Sequence, residues 1–245
     1  MKKRMKKSFL AAILAISVMT LSACTQAPSQ SGSPAFPDAP WGSSIDSVLE
    51  SLDTSRDALG ENLRVSDEKT GDAIALIEKA EVFGVESAGT ILYFGPSKDG
   101  KGSFFRADIF YPADADMKKV AGAMEKAFGK PCESVTVYFQ DGEPRTMTSS
   151  ETRKHWQGGL LQDELSKEQK NSLRERIANT GPDIGEKMND DQWETYLKNP
   201  SVTASWYTDY ESTLAGAMTE NDQIESYQNA VILDATILLT ANYDS

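Results

Sequence analysis

Histidine occurs once in 245 residues, as His155, and cysteine twice, as Cys24 and Cys132. So small a stock leaves few ways to run chemistry at neutral pH. A Ser–His or Cys–His hydrolase would have to use His155, and no serine sits in anything like a nucleophile elbow. There is no HExxH, no CxxC and no calcium-loop spacing. The longest apolar run falls well short of the roughly 20 residues that a spanning helix needs. Composition and spacing thus point away from metal and cofactor chemistry, and no cofactor is expected.

What is present begins at the N-terminus. Lys2, Lys3, Arg4, Lys6 and Lys7 carry five positive charges with no acid among them. An apolar run of 13 residues follows, Phe9 to Leu21, broken by Ser17 and Thr20. A basic start, a short apolar stretch and small residues at its end are the parts of a secretory signal peptide, here residues 1–23. Leu21-Ser22-Ala23-Cys24 then resembles the lipobox of bacterial lipoproteins. That resemblance implies cleavage before Cys24, a diacylglyceryl group on its sulfur and palmitate-type acylation. It places the mature chain on the outer face of a bacterial cell membrane, in the envelope. Two or more acyl chains anchor stably where one is marginal.

Loss of residues 1–23 leaves 37 acidic residues against 20 basic ones, a net charge of about −17. Such a surface repels nucleic-acid phosphates, so no nucleic-acid partner is expected. With Cys24 lipidated, Cys132 has no disulfide partner within the chain, and the fold must rest on its core. Residues 24–40 hold Pro28, Pro34, Pro37 and Pro40 among serines without apolar periodicity, and read as the lipidated cysteine and a linker. Its mean reach is roughly 20 Å. Residues 41–245 are expected to form the folded part, as one domain or as sub-domains 41–140 and 141–245.

Patterning in that part predicts an α+β fold, helices packed on an antiparallel sheet of about five strands. Ser43 and Asp46 suggest a capping-box-like start to a helix carrying Ile45, Val48, Leu49 and Leu52. Residues 61–72 read as loop, and Ile74, Leu76 and Ile77 fit helix or strand equally. Thr90 to Phe94 and the alternation of Phe105, Ala107, Ile109 and Tyr111 predict two strands joined by a turn at Asp99-Gly100. Pro112 opens a helix whose stripe is Met117, Val120, Ala121, Met124, Ala127 and Phe128, ended by Gly129. Val135, Val137 and Phe139 predict a third strand. Ser166 with Gln169 predicts a capped helix with Leu165, Leu173 and Ile177 on its inner side. Asn189-Asp190-Asp191 caps another through Trp193 and Leu197. Val202, Ala204 and Trp206 line a fourth strand. Val231, Leu233, Ala235, Ile237 and Leu239 line a fifth.

The order of Trp41-Gly42, a Ser-capped helix, a hairpin carrying Tyr93 and Phe94 and a helix ending Phe128-Gly129-Lys130-Pro131 resembles a small α+β module of bacterial envelope lipoproteins. The resemblance covers about residues 41–140 and implies no catalytic residues.

Four features bear on function. Gly95 to Gly102 nearly spells a phosphate loop, but Gly102 stands where the Ser or Thr should be, and a strand follows where a helix is required. His155 lies in a basic, polar stretch of loop character and is expected on the surface, while Cys132 is expected half-buried after a helix end. Asp114 with Asp116, and Asp190 with Asp191, are expected in first helical turns, where the dipole accounts for them. The aromatics Trp193, Tyr196, Trp206, Tyr207 and Tyr210 fit a core or a binding surface. Alternation turns Tyr207 away from Trp206, which makes Tyr207 and Tyr210 the candidate partner-binding residues. The expected function is that of a membrane-anchored envelope lipoprotein with a non-catalytic binding domain, its partner an envelope protein or a cell-wall component. The alternatives are a cell-wall hydrolase using a carboxylate pair and a solute-binding lipoprotein.

Overall fold

The computed structural model describes residues 33–140, 143–179, 189–210, 212–213 and 226–236. The signal-type segment, Cys24 and the first part of the linker lie outside the described residues, as do Ile237, Leu239 and the side chains of Val137, Phe139 and Ile177. Among the described residues no helix is long and apolar enough to cross a membrane.

The chain runs through α1 (Ile45–Ser51), α2 (Arg56–Leu59), β1 (Leu63–Asp67), β2 (Asp72–Ile77), β3 (Glu81–Val82), β4 (Val85–Glu86), β5 (Gly89–Gly95) and β6 (Ser103–Tyr111). It continues through α3 (Met117–Phe128), β7 (Ser134–Gln140), β8 (Glu143–Thr148), β9 (Arg153–Gly158), α4 (Leu161–Glu164), α5 (Lys167–Asn179) and α6 (Asp190–Tyr196). It closes with β10 (Val202–Tyr207), β11 (Ser212–Thr213), β12 (Ser226–Tyr227) and β13 (Asn229–Asp234). Seven strands form one sheet in the order β1-β2-β5-β6-β13-β10-β9, every neighbouring pair antiparallel. The class is α+β as expected, but the sheet is larger than five strands. β5, β6, β10 and β13 lie where strands are expected, β2 settles as strand the stretch that fits helix or strand equally, and β1 and β9, both unexpected, are the edges. An edge strand carries polar residues that blunt further pairing, so its apolar signal is weak. β1 falls in the stretch expected to be loop, and β9 contains His155. The expected third strand, β7, pairs with β8 in a separate hairpin.

One face of the sheet carries the main core. Ala75, Leu92, Phe94, Phe104, Ala107, Ile109, Tyr111, Val231, Leu233, Ala204, Trp206 and Trp156 meet the inner sides of α1 and α3. Ile45, Val48 and Leu49 of α1 are buried, and its cap is Ser44, whose Oγ accepts from Ser47 N, rather than Ser43. The α3 stripe of Met117, Val120, Ala121, Met124 and Phe128 is buried, while Ala127 faces solvent. Pro112 does not open this helix. Pro112 to Ala115 make a turn, Asp116 is the N-cap through Lys119 N, and Asp114 precedes it. Two indoles fasten the helix at both ends. Trp206 Nε1 donates to the Met117 carbonyl (3.1 Å) and Trp156 Nε1 to the Gly129 carbonyl (2.8 Å). In β6 a register shift opposite Tyr93 and Phe94 puts Phe104, not Phe105, on the core face. A bulge of this kind reverses the alternation beyond it.

Residues 33–40, expected to be linker, belong to the fold. Pro34, Phe36 and Ala39 are buried. Trp41 stacks on Phe104 at 5.1 Å, Phe36 meets the same ring edge-on at 5.8 Å, and Trp41 Nε1 donates to the Pro34 carbonyl at 2.8 Å. The strap passes so close to β9 that a Cβ on Gly158 would lie 2.7 Å from Pro34 Cδ. A second, smaller cluster of Leu161, Leu165, Leu173, Trp193 and Leu197 joins α4, α5 and α6. α5 and α6 begin as expected, while α4 is an addition: Ser166 and Gln169 exchange backbone–side-chain bonds, and Asn189 forms a capping box with Gln192.

Candidate functional site on the second face of the sheet

The face turned away from α1 and α3 follows from the registers. One row across it reads Leu76, Ile91, Asp108, Ile232, Ser205 and His155, from β2 to β9. The next reads Ile74, Tyr93, Arg106, Asp234, Thr203 and Gln157. Strand spacing of about 4.8 Å therefore sets Arg106 directly between Tyr93 and Asp234. Asp108, two residues along β6, lies on the same face.

The guanidinium of Arg106 donates from Nε to Asp108 Oδ1 (2.7 Å) and from Nη2 to Asp108 Oδ2 (3.0 Å), a bidentate pair. Its Nη1 donates to Asp234 Oδ2 at 3.3 Å. Tyr93 adds its hydroxyl to Asp108 Oδ2 at 3.2 Å, and its ring lies under the guanidinium, 5.5 Å from Cζ to centroid. The Asp108 side chain is 8% exposed, against 33% for Arg106 and 29% for Asp234. One end of the array is thus sealed and the other meets solvent. Burial pushes the Asp108 carboxyl above the usual carboxylate range, and Arg106 pulls it back. The Tyr93 phenol is raised by burial and by the Asp108 charge.

Beside this array lie the aromatics. Tyr207 packs on Tyr210 at 4.9 Å between ring centroids and meets the His155 ring edge-on at 5.7 Å. Tyr207 is on the opposite face from Trp206, as alternation requires. It is nonetheless only 9% exposed, packed among the His155 and Tyr210 rings and Met147, so the expectation of an exposed Tyr207 is corrected. Tyr210 is half-buried and is the more reachable of the two. Burial raises both phenols.

His155 is also corrected. It is a β9 strand residue, 0% exposed, with Nδ1 2.9 Å from Ser205 Oγ. Among the described residues nothing hydrogen-bonds Nε2. A Ser–His nucleophile needs a third group to orient the base and an accessible oxygen; Ser205 is 4% exposed. Cys132 is half-buried as expected and meets His155 through the backbone, its N–H donating to the His155 carbonyl at 2.7 Å.

The glycine-rich loop is the β5–β6 hairpin connection, and its amides are already used. Ser97 Oγ accepts from Lys101 N (3.0 Å) and Gly102 N (2.9 Å), and Asp99 Oδ1 accepts from Lys101 N (3.1 Å). Ser97 N donates to the Thr70 carbonyl, docking the loop on the β1–β2 turn. Asp190 and Asp191 sit in the first turn of α6. Among the described residues no three His, Cys, Asp or Glu side chains gather to hold a metal ion.

Nothing in the sequence marked Arg106, Asp108 and Asp234 as partners. The signal was available only as charge at positions facing away from the core in two apolar strands. No protein-family model fits the chain, and neither a curated protein nor a solved structure matches it.

Proposed function

We propose that this chain is exported, lipidated at Cys24 and held on the outer face of a bacterial membrane, and that its α+β domain works by binding a protein or cell-wall component. The observation that supports binding is the Arg106 array. Its carboxylates are held by a guanidinium and a phenol, so the group is fixed in shape. Arg106 and Asp234 reach solvent beside Tyr93 and the half-buried Tyr210. Arginine and tyrosine in a rigid, partly desolvated setting are the residue types that dominate binding energy at interfaces. The lipobox and the basic, apolar start support the address.

One observation favours the hydrolase alternative: Asp108, with its raised carboxyl, and Asp234 share one face and one guanidinium.

The experiment has two arms. Mass spectrometry of the membrane-extracted protein should show an acylated Cys24 at its N-terminus, and Cys24→Ser should move the protein to the soluble fraction. A photo-crosslinker at position 210 of the full-length protein on intact cells should give a discrete adduct. Absence of any adduct, with Asp108-dependent release of wall fragments by the purified protein, would replace binding by hydrolysis.

A further inference from the structure

We propose that His155 is an acid-sensitive latch that holds the β7–β8 hairpin against the edge of the sheet. β9 is the last strand of the sheet, and both feet of the hairpin are fastened to it at His155, with Ser150 N also donating to the Arg153 carbonyl at 2.6 Å. The His155 carbonyl accepts from Cys132 N at 2.7 Å, ahead of β7. The His155 N–H donates to Ser149 Oγ at 3.1 Å, after β8. Ser149 closes the knot by donating from Oγ to the Cys132 carbonyl (2.6 Å) and from its N–H to the Glu133 carbonyl (2.8 Å). These bonds hold only while the backbone of residue 155 stays in place.

The side chain of that same residue cannot take up a proton where it is. The ring is 0% exposed, Nδ1 is engaged by Ser205, and Nε2 has no partner among the described residues. An imidazolium there would bury a charge and leave an N–H donor unsatisfied. Among the described residues the ionisable groups around it offer no relief. On β9 itself, Arg153 lies on the same face and is cationic, and its Nε is bound to Asp209 at 3.0 and 3.1 Å. Asp209 is further held by Thr152 at 2.9 Å. On β10, Tyr207 presents its ring edge-on, and burial keeps its phenol protonated. Across the bridge stands Cys132, which meets His155 through its backbone N–H. The hairpin brings Met147 to Tyr207, whose hydroxyl donates to the thioether sulfur at 3.6 Å, and this contact brings no charge. Asp108 shares the row but lies three strands away, about 14 Å at ordinary spacing.

The sign follows. Burial, with Arg153, holds the folded-state imidazole below its ordinary value. An unfolded or opened chain therefore binds the proton more tightly. The stabilisation is complete above the unfolded value of about 6.5 and is lost as pH falls from there to the depressed folded value. Hydrating the ring means moving the edge strand, and the hairpin feet are what that movement releases.

The test uses the full-length protein in detergent. Hydrogen exchange is read by mass spectrometry at pH 7.5 and pH 5.0, corrected for intrinsic rates. Peptides covering 132–155 should exchange at least tenfold faster at pH 5.0, while peptides of α3 and β6 keep their protection. His155→Gln should show no such selective change. An unchanged hairpin in the wild type at pH 5.0, or the same opening in the variant, would overturn the latch. If the variant fails to fold at pH 7.5, the wild type decides. Its single histidine gives one unambiguous imidazole titration by NMR. A midpoint coinciding with hairpin opening supports the latch, and separate midpoints refute it.

Discussion

Arg106 and Asp108 are two residues apart on one face of one strand, yet they make the two parallel hydrogen bonds usually seen between different elements. The guanidinium runs along β6 toward Asp108, with the Tyr93 ring beneath it. Arg106→Met would leave Asp108 8% exposed with only the Tyr93 hydroxyl. Losing one partner of a buried pair costs about 3–5 kcal/mol, and because Arg106 is one-third exposed the lower end applies. Urea denaturation at pH 7.5 should show about 3 kcal/mol lost, and less at pH 4.5, because burial raises the Asp108 carboxyl and so favours its protonation in acid. An equal loss at both pH values would contradict this.

Met124 lies at the centre of the α3 stripe and is 0% exposed, facing a sheet fastened to both ends of the helix. Those fixed ends prevent the helix from settling into a void. Met124→Ala should cost about 3–5 kcal/mol, toward the upper part of the range for such truncations. Thermal or chemical unfolding measures it directly, and a cost near 1 kcal/mol would show that the helix can collapse inward.

Gly158 has no space for a methyl group because Ser33 and Pro34 cross it. Its backbone is not in the left-handed region, so the effect of Gly158→Ala is one of packing alone. The substitution should cost about 1–3 kcal/mol and lift the strap from β9. Limited proteolysis should then cut within residues 33–41 in the variant and leave the wild type intact there.

Asp116 caps α3 through Lys119 N at 3.0 Å. Asp116→Ala should destabilise by about 1 kcal/mol, whereas Asp114→Ala, lying before the helix, should change stability by less than about 0.5 kcal/mol. Equal effects of the two substitutions would place the cap elsewhere.

Where an apolar period was long and one-sided, the fold was legible in the sequence. The α3 stripe apart from Ala127, the inward face of β10 and the core-facing run of β13 as far as Ala235 all lie as the spacing predicts. Met124 and Ile109 are both fully buried. What escaped has particular causes. β1 and β9 are edges, so Arg64, Ser66, Arg153 and Gln157 dilute their apolar pattern. The shift at Phe104 and Phe105 inverts alternation by one residue, which no period can reveal. His155 looked like a surface residue because its neighbours are charged, and only pairing with β10 puts it under cover. The Arg106 array was out of reach for a different reason: Tyr93, Arg106 and Asp234 become neighbours through strand order, and Asp234 is 128 residues from Arg106.

The strap at residues 33–43 has a mechanical consequence. Tension drawn along the chain from the side of Cys24 arrives first at Pro34, against β9, and then at Phe36 and Trp41, against Phe104 of β6. Gly42 N and the Ser43 carbonyl are bonded to the Phe104 backbone at 2.8 and 2.9 Å. Between β9 and β6 lie β10 and β13. A load applied there is divided between an edge strand and a central one. To detach the strap it must break ring stacking and backbone bonds together, whereas a pull on the end of an edge strand would peel one ladder bond after another.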